Sequence, residues 1–303
     1  MKWDCTKNIN SVCQHIQEKF SALKINLNAK SDKTKTVKML YFDKVESKTK
    51  KGKVVKRLKA VPVDANIPFV IDFIEKMLPK IIHHRNLLKN YRTNLGTLIE
   101  SIENVKEIWL DFSENLTVPV QKEPMSLHWS KEQKTIHSGM TKSNGTKIYH
   151  PHISDDLKHD QAFVFLATEE MISEIDIRPG MTVIITTDNC ASQYKSAQNF
   201  DDLQKLADKY GITIIRIYGI PGHGKNEIDC VGGVAKIMLR RAVTVGKNFN
   251  SAASCVDYLN EKLGDSESPQ YSIKEICSEE LELTRKALGI HAMEKYLVQA
   301  VSV

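Results

Sequence analysis

Two acidic residues, Asp188 and Asp229, stand where a carboxylate-based metal site would need them. Asp188 ends a run of β-branched and apolar residues, MTVIITT, and is followed by Asn189. Such a run predicts a buried strand that presents the carboxylate at its C-terminal end. Asp229 stands with Glu227 at the predicted start of a helix. Carboxylate oxygens are preferred ligands of hard divalent cations, so the pattern indicates metal-assisted displacement chemistry.

The residues between these acids predict how the acids are brought together. Residues 196–211 carry apolar side chains at helical spacing and end at Gly211, a natural helix stop. ITIIRIYGI, residues 212–220, predicts a second buried strand. Strands joined through a helix in this way run parallel, and their C-terminal ends share one edge of the sheet. We therefore expect Asp188 and the acids after Gly224 to meet at that edge.

A third acid, Asp111, interrupts the short apolar strand Ile108–Phe112. A charge inside such a strand needs a partner. Taken alone, Asp111 is better explained as an acid that hydrogen-bonds the following turn. Taken with Asp188 and Asp229, it predicts the third corner of a carboxylate cluster.

The elements around these acids follow a definite order. Residues 125–154 alternate around Asn144-Gly145, which predicts two antiparallel strands, and residues 154–176 open with capping acids and continue at helical spacing. The predicted order is a strand with Asp111, two strands, a helix, a strand with Asp188, a helix, a strand, and a helix with Asp229. This order predicts an α/β domain, a mixed five-stranded sheet flanked by helices.

This order, with its acids, resembles the ribonuclease H-like fold shared by DDE/DDD transposases, retroviral integrases and ribonuclease H. The resemblance covers roughly residues 107–243, and in that family the catalytic acids match Asp111, Asp188 and Asp229. WLDFSEN, ISDDLKHD, TTDNCASQYKS and GHGKNEIDCVGG are similar to motifs of mobile-element-derived animal proteins that carry this fold.

The resemblance implies a cofactor of two Mg²⁺ or Mn²⁺ ions. Asp111 would bridge the ions, and Asp188 and Asp229 would each hold one. The segment before the last helix has one residue fewer between Glu227 and Asp229 than ribonuclease H has, so either acid could be the third ligand. His223 matches a mobile loop histidine of ribonuclease H. A fourth ligand could come from Glu169 or Glu170.

The activity implied is transposase-like cleavage or strand transfer on DNA. Two alternatives remain open. One is a ribonuclease H-type nuclease. The other is a transposon-derived module that binds nucleic acid or protein after losing catalysis.

The positive charge of the chain is concentrated at its N-terminal end. The 303 residues carry a net charge of +6, and residues 1–60 hold 15 Lys and 1 Arg against 5 acids, which leaves −5 for the rest. The run that includes Lys51, Lys53 and Arg57 predicts phosphate binding or nuclear import. A solvated arm, or a hairpin of VKMLYFDKV with KVVKRLKAV, is an equally weighted alternative.

Further polar residues could contact a nucleic acid. Lys236 and Arg240 lie about one turn apart on the last predicted helix, and Asn189 adjoins Asp188. We expect DNA, or an RNA/DNA hybrid, as the partner, with a homo-oligomer as an open possibility and a nuclear or cytoplasmic location. No run of about 18 apolar residues indicates a membrane span. The six cysteines form no CxxC pair, which argues against a zinc ribbon.

We predict four segments. They are a basic N-terminal region over residues 1–66, a helical segment over 67–105 interrupted at Pro79, the catalytic-type domain over 106–245, and a C-terminal helical extension over 246–303. Gly232 and Gly233, inside the last helix of the domain, are expected to permit close packing on the sheet or approach of a ligand. His150 and His152 alternate on a strand and face one side, which by itself is weak evidence for zinc.

Overall fold

A computed structural model describes residues 18–22, 24–25, 36–48, 54–118, 132–143, 145–220, 227–266 and 269–288. The chain divides into two compact units, residues 1–93 and 94–303. The segment boundaries expected at residues 66, 105 and 245 stay predictions. None of the described helices combines the length and the apolar character that a membrane crossing requires.

In the first unit, residues 18–22 and 24–25 are helical. An antiparallel strand pair follows, β1 (Thr36–Lys48) and β2 (Val54–Asn66), so the predicted hairpin is confirmed. Helix α1 (Ile67–Ser101) follows directly. Asn66 Oδ1 caps it by accepting a hydrogen bond from the Phe69 N–H at 2.9 Å. The predicted interruption at Pro79 is wrong, because the helix runs through it. A proline removes one backbone donor and crowds the carbonyl of the preceding turn, but the other turns of this long helix keep their hydrogen bonds.

The second unit is built on a mixed eight-stranded sheet. Three of its strands, β3 (Val105–Phe112), β7 (Thr182–Thr187) and β8 (Thr213–Tyr218), run parallel to one another. Strand β5 (Gln133–Ser143) is antiparallel to both β3 and β6 (Thr146–Ser154). Three two-residue strands complete the sheet: β4 (Leu116–Thr117), β9 (Gln270–Tyr271) and β10 (Lys274–Glu275). Along its main path the order is β10-β6-β5-β3-β7-β8.

Helices cover both faces of this sheet. They are α2 (Gln161–Glu174), the short α3 (Ala191–Tyr194), α4 (Ala197–Tyr210), α5 (Glu227–Thr244), α6 (Ala252–Leu263) and α7 (Ser278–Ala287). One core joins α2 and α4 to β3 and β7 through residues such as Met171, Leu206 and Ile108. Another joins α5 and α6 to β5 and β6 through residues such as Leu239, Leu259 and Ile136.

The five long strands and the helices between them occur in the predicted order. The sheet holds eight strands rather than the predicted five, because two-residue strands show no periodicity that a sequence pattern could reveal. The helix ends agree with the sequence as well. Asp160 caps α2 by accepting from the Phe163 N–H, and Gly211 ends α4 with φ 65°.

Candidate active site

Asp111 and Asp188 lie side by side at the same end of the sheet. Strands β3 and β7 are parallel with Leu110 beside Thr187. Asp111 is the next residue of β3, and Asp188 directly follows the last residue of β7. Leu110 is buried in the core with residues of α2 and α4. Because side chains alternate along a strand, Asp111 points to the opposite face, where α5 packs.

Asp229, in the first turn of α5, makes a side-chain hydrogen bond with Asp111. Burial, the charge of Asp188 and the charge and hydrogen bond of Asp229 together raise the pKa of Asp111 to about 7. Two carboxyl groups can share a hydrogen bond only if one of them carries a proton, and the raised pKa of Asp111 favours this protonated state of the pair. The three aspartates therefore act on one another electrostatically.

Gly232 allows α5 to come this close. A Cβ atom on Gly232 would lie 2.1 Å from Ser113 Oγ and 2.8 Å from Ser138 Oγ. Ser138 is the cross-strand neighbour of Asp111. Gly232 follows Asp229 by one turn, so both face the sheet. The expected close packing is confirmed at Gly232, whereas a Cβ on Gly233 would meet nothing within 4 Å.

Asp188 is oriented by its own turn, since its Oδ1 accepts a hydrogen bond from the Cys190 N–H at 3.0 Å. Two buried oxygens near the aspartates, Ser138 Oγ and Asn189 Oδ1, lack a hydrogen-bond partner among the described residues. Buried oxygens normally have a hydrogen-bond partner, and water or a cation could be one here.

This arrangement fits a hard divalent cation. The donors are all oxygens, and the crowded negative charge that raises the pKa of Asp111 is what a cation relieves. However, the carboxylate oxygens of the three aspartates do not all lie within 4.8 Å of one another. In the described part of the chain, His150, Glu170 and Glu174 are the three residues whose ligand atoms lie within 4.8 Å of one another. Cation binding would have to bring Asp111, Asp188 and Asp229 closer.

Glu227 makes its contacts with Lys147 and Tyr149 and not with the three aspartates. Its carboxylate accepts hydrogen bonds from Lys147 Nζ at 2.6 and 2.8 Å and from Tyr149 Oη at 2.6 Å. The bond from Lys147 is the main cause that lowers the pKa of Glu227. Of the two acids that the sequence left open as a third ligand, Asp229 is the one that contacts Asp111.

The proposed fourth ligand from α2 does not lie beside Asp111 either. Glu169 pairs with Lys209. Glu170 pairs with His152, at 2.6 Å, and with Lys274, at 2.5 Å. The expectation fails because α2 covers the face of the sheet opposite to the one that Asp111 occupies.

The residues predicted to contact nucleic acid are placed only in part. Lys236 lies two turns after Asp229 on α5, where burial lowers its pKa although the charge of Glu114 raises it. Arg240 follows one turn later and is exposed. His223, Lys51, Lys53 and the side chain of Arg57 lie outside the described residues, so their roles stay predictions.

Two residues near the aspartates were missed in the sequence, Tyr194, which is fully buried, and Arg216, whose guanidinium nitrogens are buried. The Arg216 guanidinium carbon lies 5.2 Å from the centroid of the Tyr194 ring and 5.8 Å from that of Tyr218. Burial, and next the charge of Asp111, raise the pKa of Tyr194. Arg216 interrupts the apolar run of β8 just as Asp111 interrupts that of β3, and this signal could have revealed it.

Comparisons with known proteins add little on activity. Residues 95–298 match a family described as "Domain of unknown function (DUF8701)". No curated protein matches the chain. One similar solved structure is the crystal structure of NurA bound to dAMP and manganese, at 10% identity and a TM-score of 0.16, over 62% of this chain and 46% of that one. A likeness this low carries no argument, and the match spans less than half of that protein.

Proposed function

The chain belongs to the DUF8701 family, whose description names no activity, and from the site itself we propose a metal-dependent enzyme that cleaves or joins DNA strands. The proposed fold type is ribonuclease H-like and the proposed relationship is to transposases. The observation that carries the proposal is the contact of Asp111 with Asp229 beside Asp188, at the ends of two parallel strands.

The three aspartates have distinct tasks in this proposal. Asp111, on the central strand, and Asp188, oriented by the Cys190 N–H, would hold Mg²⁺ or Mn²⁺ together with Asp229. Bound there, the cation would neutralise charge on the attacking and leaving oxygens of a phosphodiester. Lys236 and Arg240 continue along α5 from Asp229 and offer positive charge to the phosphates of the strand.

A second candidate is a module that binds nucleic acid without cutting it. The loose arrangement of the three aspartates favours this candidate, because their ligand atoms do not all lie within 4.8 Å of one another. Binding that needs no divalent cation, together with absent cleavage, would identify it.

The test is a cleavage assay of the full chain. Branched, duplex, single-stranded and RNA/DNA hybrid oligonucleotides are incubated with Mg²⁺, Mn²⁺ or EDTA. We expect metal-dependent cleavage of at least one DNA substrate. The Asp188→Asn variant should lose at least about 100-fold, the scale for removing a group that stabilises transition-state charge.

The matched control is Asp201→Asn, since Asp201 is an exposed acid on α4. It should cleave like the native protein. Preference for the hybrid would favour the ribonuclease H-type alternative. Equal activity of the Asp188→Asn and native proteins would refute the proposed site.

A further inference from the structure

A second cluster of ligand-type side chains lies on the other face of the sheet. His150 stands opposite Gly139, and a Cβ on Gly139 would lie 2.6 Å from Met171 Sδ of α2. His150 therefore faces α2. The next residue back along β5, Ser138, faces α5 and the aspartates. The sheet thus separates this cluster from the proposed active site.

His150, Glu170 and Glu174 bring three ligand atoms within 4.8 Å of one another. Glu170 and Glu174 are one turn apart on α2, which puts both carboxylates on the side that meets β6. His150 Nδ1 lies 3.3 Å from Glu174 Oε2. Two ligand atoms on a tetrahedral ion with bonds of about 2.0–2.1 Å are separated by about the same distance.

The burial and the contacts of His150 suit a metal ligand. His150 is completely buried, and its Nδ1 faces Glu174 Oε2 at 3.3 Å without a well-formed hydrogen bond to any described residue. Its other nitrogen, Nε2, lies 2.9 Å from Thr141 Oγ1, a contact that fixes the ring and suits an Nε2–H donor. Burial lowers the pKa of His150, which favours the neutral ring that metals bind.

The ammonium group of Lys274, on β10, contacts both carboxylates of this cluster. Its Nζ lies 2.5 Å from Glu170 Oε1 and also contacts Glu174 Oε1. Ser272 Oγ donates to the same Glu174 oxygen at 3.0 Å. The two carboxylates and the one ammonium carry a net charge of −1, apart from the imidazoles of His150 and His152, so a further positive charge is favourable.

We propose that His150, Glu170 and Glu174 form a buried structural site for a divalent transition-metal ion, with Zn²⁺ the best fit, for which the Lys274 ammonium competes. A mixed set of imidazole and carboxylate ligands suits Zn²⁺ better than Mg²⁺. The ion would fasten α2 to β6. Through Glu170 and Glu174 it would also link both to the segment of Ser272 and Lys274.

The test measures Zn²⁺ binding to the full chain after removal of metals with a chelator. Zinc content is determined by mass spectrometry, and affinity by competition with a zinc indicator. We expect one tightly held zinc per chain. His150→Gln and Glu174→Gln should weaken it by more than about 10–100-fold, the effect of removing a residue that only supports a metal ligand. Circular dichroism verifies that each variant is folded.

Two controls separate this site from others. Glu169→Gln lies on the same helix, beside Glu170, and pairs with Lys209, so it should bind zinc like the native protein. Asp188→Asn should also keep the zinc, because the sheet separates the two sites. A folded Glu174→Gln variant that binds zinc like Glu169→Gln would overturn the proposal, as would a native chain that holds none.

Lys274→Met provides a readout of opposite sign. Without its ammonium, the two glutamates lose a competing cation, so zinc should bind more tightly and the metal-free variant should be less stable. Addition of zinc should then raise its melting temperature more than that of the native protein. Unchanged zinc affinity in Lys274→Met would overturn the competition assigned to this lysine.

Discussion

The pKa of Asp111 is higher in the folded protein than in the unfolded chain. Its pKa rises from 3.8 to about 7 on folding, chiefly through burial and then through Asp188 and Asp229. Between those pH values the folded chain binds a proton that the unfolded chain has released. The contribution of Asp111 to the stability of the metal-free protein should therefore fall as pH rises from about 4 to about 7.

Asp111→Asn should remove this contribution to the pH dependence, because the amide does not titrate and can still donate to Asp229. Urea unfolding in EDTA at a series of pH values measures it. Asp201→Asn, at an exposed position, should keep the native dependence. Identical pH dependence in the Asp111→Asn and native proteins would show that Asp111 is not protonated in the fold.

Asp188→Asn separates a functional acid from a structural one. The asparagine Oδ1 can still accept the hydrogen bond from the Cys190 N–H, and the loss of one negative charge relieves Asp111. We expect unchanged or slightly higher stability of the metal-free protein. Mg²⁺ or Mn²⁺ should stabilise the native chain, by about 2.7 kcal/mol at 100 times Kd, and the variant much less.

Thermal unfolding with and without the cation measures this difference. A clear loss of stability in metal-free Asp188→Asn, combined with no metal-induced shift of the native protein, would make Asp188 a structural turn residue. The binding module would then replace the enzyme as the better proposal.

Helix α5 depends on a glycine for its distance from the sheet. A methyl group at residue 232 would clash with Ser113 and Ser138, so Gly232→Ala should destabilise the protein by about 1–3 kcal/mol, the usual cost of overpacking. It should also push Asp229 away from Asp111 and weaken divalent-cation binding.

Gly233→Ala is the matched control on the same helix. Nothing lies within 4 Å of its added methyl group, so it should stabilise by up to about 1 kcal/mol through helix propensity. Urea unfolding and metal titration of both variants measure the contrast. Equal effects of the two substitutions would mean that α5 does not set the position of Asp229 through Gly232.

The strand pair β1–β2 and its connection carry the concentrated positive charge. Replacing Lys51, Lys53 and Arg57 with Gln should weaken binding to all DNA sequences alike. It should reduce the slope of log affinity against log salt by about 0.9 for each phosphate that the protein no longer neutralises. Replacing the exposed Lys80, Lys89 and Arg92 of α1 removes the same charge and should change the slope less. Unchanged affinity and slope would mean that this basic segment does not bind DNA and instead serves solubility or targeting.

At the scale of the whole second unit, Arg285 of α7 ties the C-terminal part of the chain to the start of α2. Its guanidinium is buried and contacts Asp156 at 2.6 Å, Asp160 at 2.7 Å and Glu282 at 3.0 Å. Arg285→Met should cost about 3 kcal/mol, the low end for breaking a buried pair, because unpaired carboxylates remain. Exposed Lys286→Met should have little effect. Urea unfolding measures the free energy of unfolding of both variants, and equal values for Arg285→Met and the native protein would contradict this prediction.

Patterns within a few residues of each other were enough to predict the five long strands of the second unit and the helices between them. The runs that became β3, β7 and β8, the turn around Gly145 and the stop at Gly211 all follow from local periodicity and backbone preference. These signals are local because side-chain direction along one strand or helix depends only on its own geometry. The break expected at Pro79 shows the limit, since one unfavourable residue did not outweigh a long helix.

The sequence by itself determined which acids stand at strand and helix ends, and so placed Asp111, Asp188 and Asp229 at one edge of the sheet. Only the tertiary structure shows that Asp229 contacts Asp111 while Glu227 pairs with Lys147 and Tyr149, because those two residues lie about 80 residues away from Glu227 in the chain. The tertiary structure also assembled His150 with Glu170 and Glu174. Their meeting depends on how α2 packs against β6, and spacing along a single element holds no information about packing between elements.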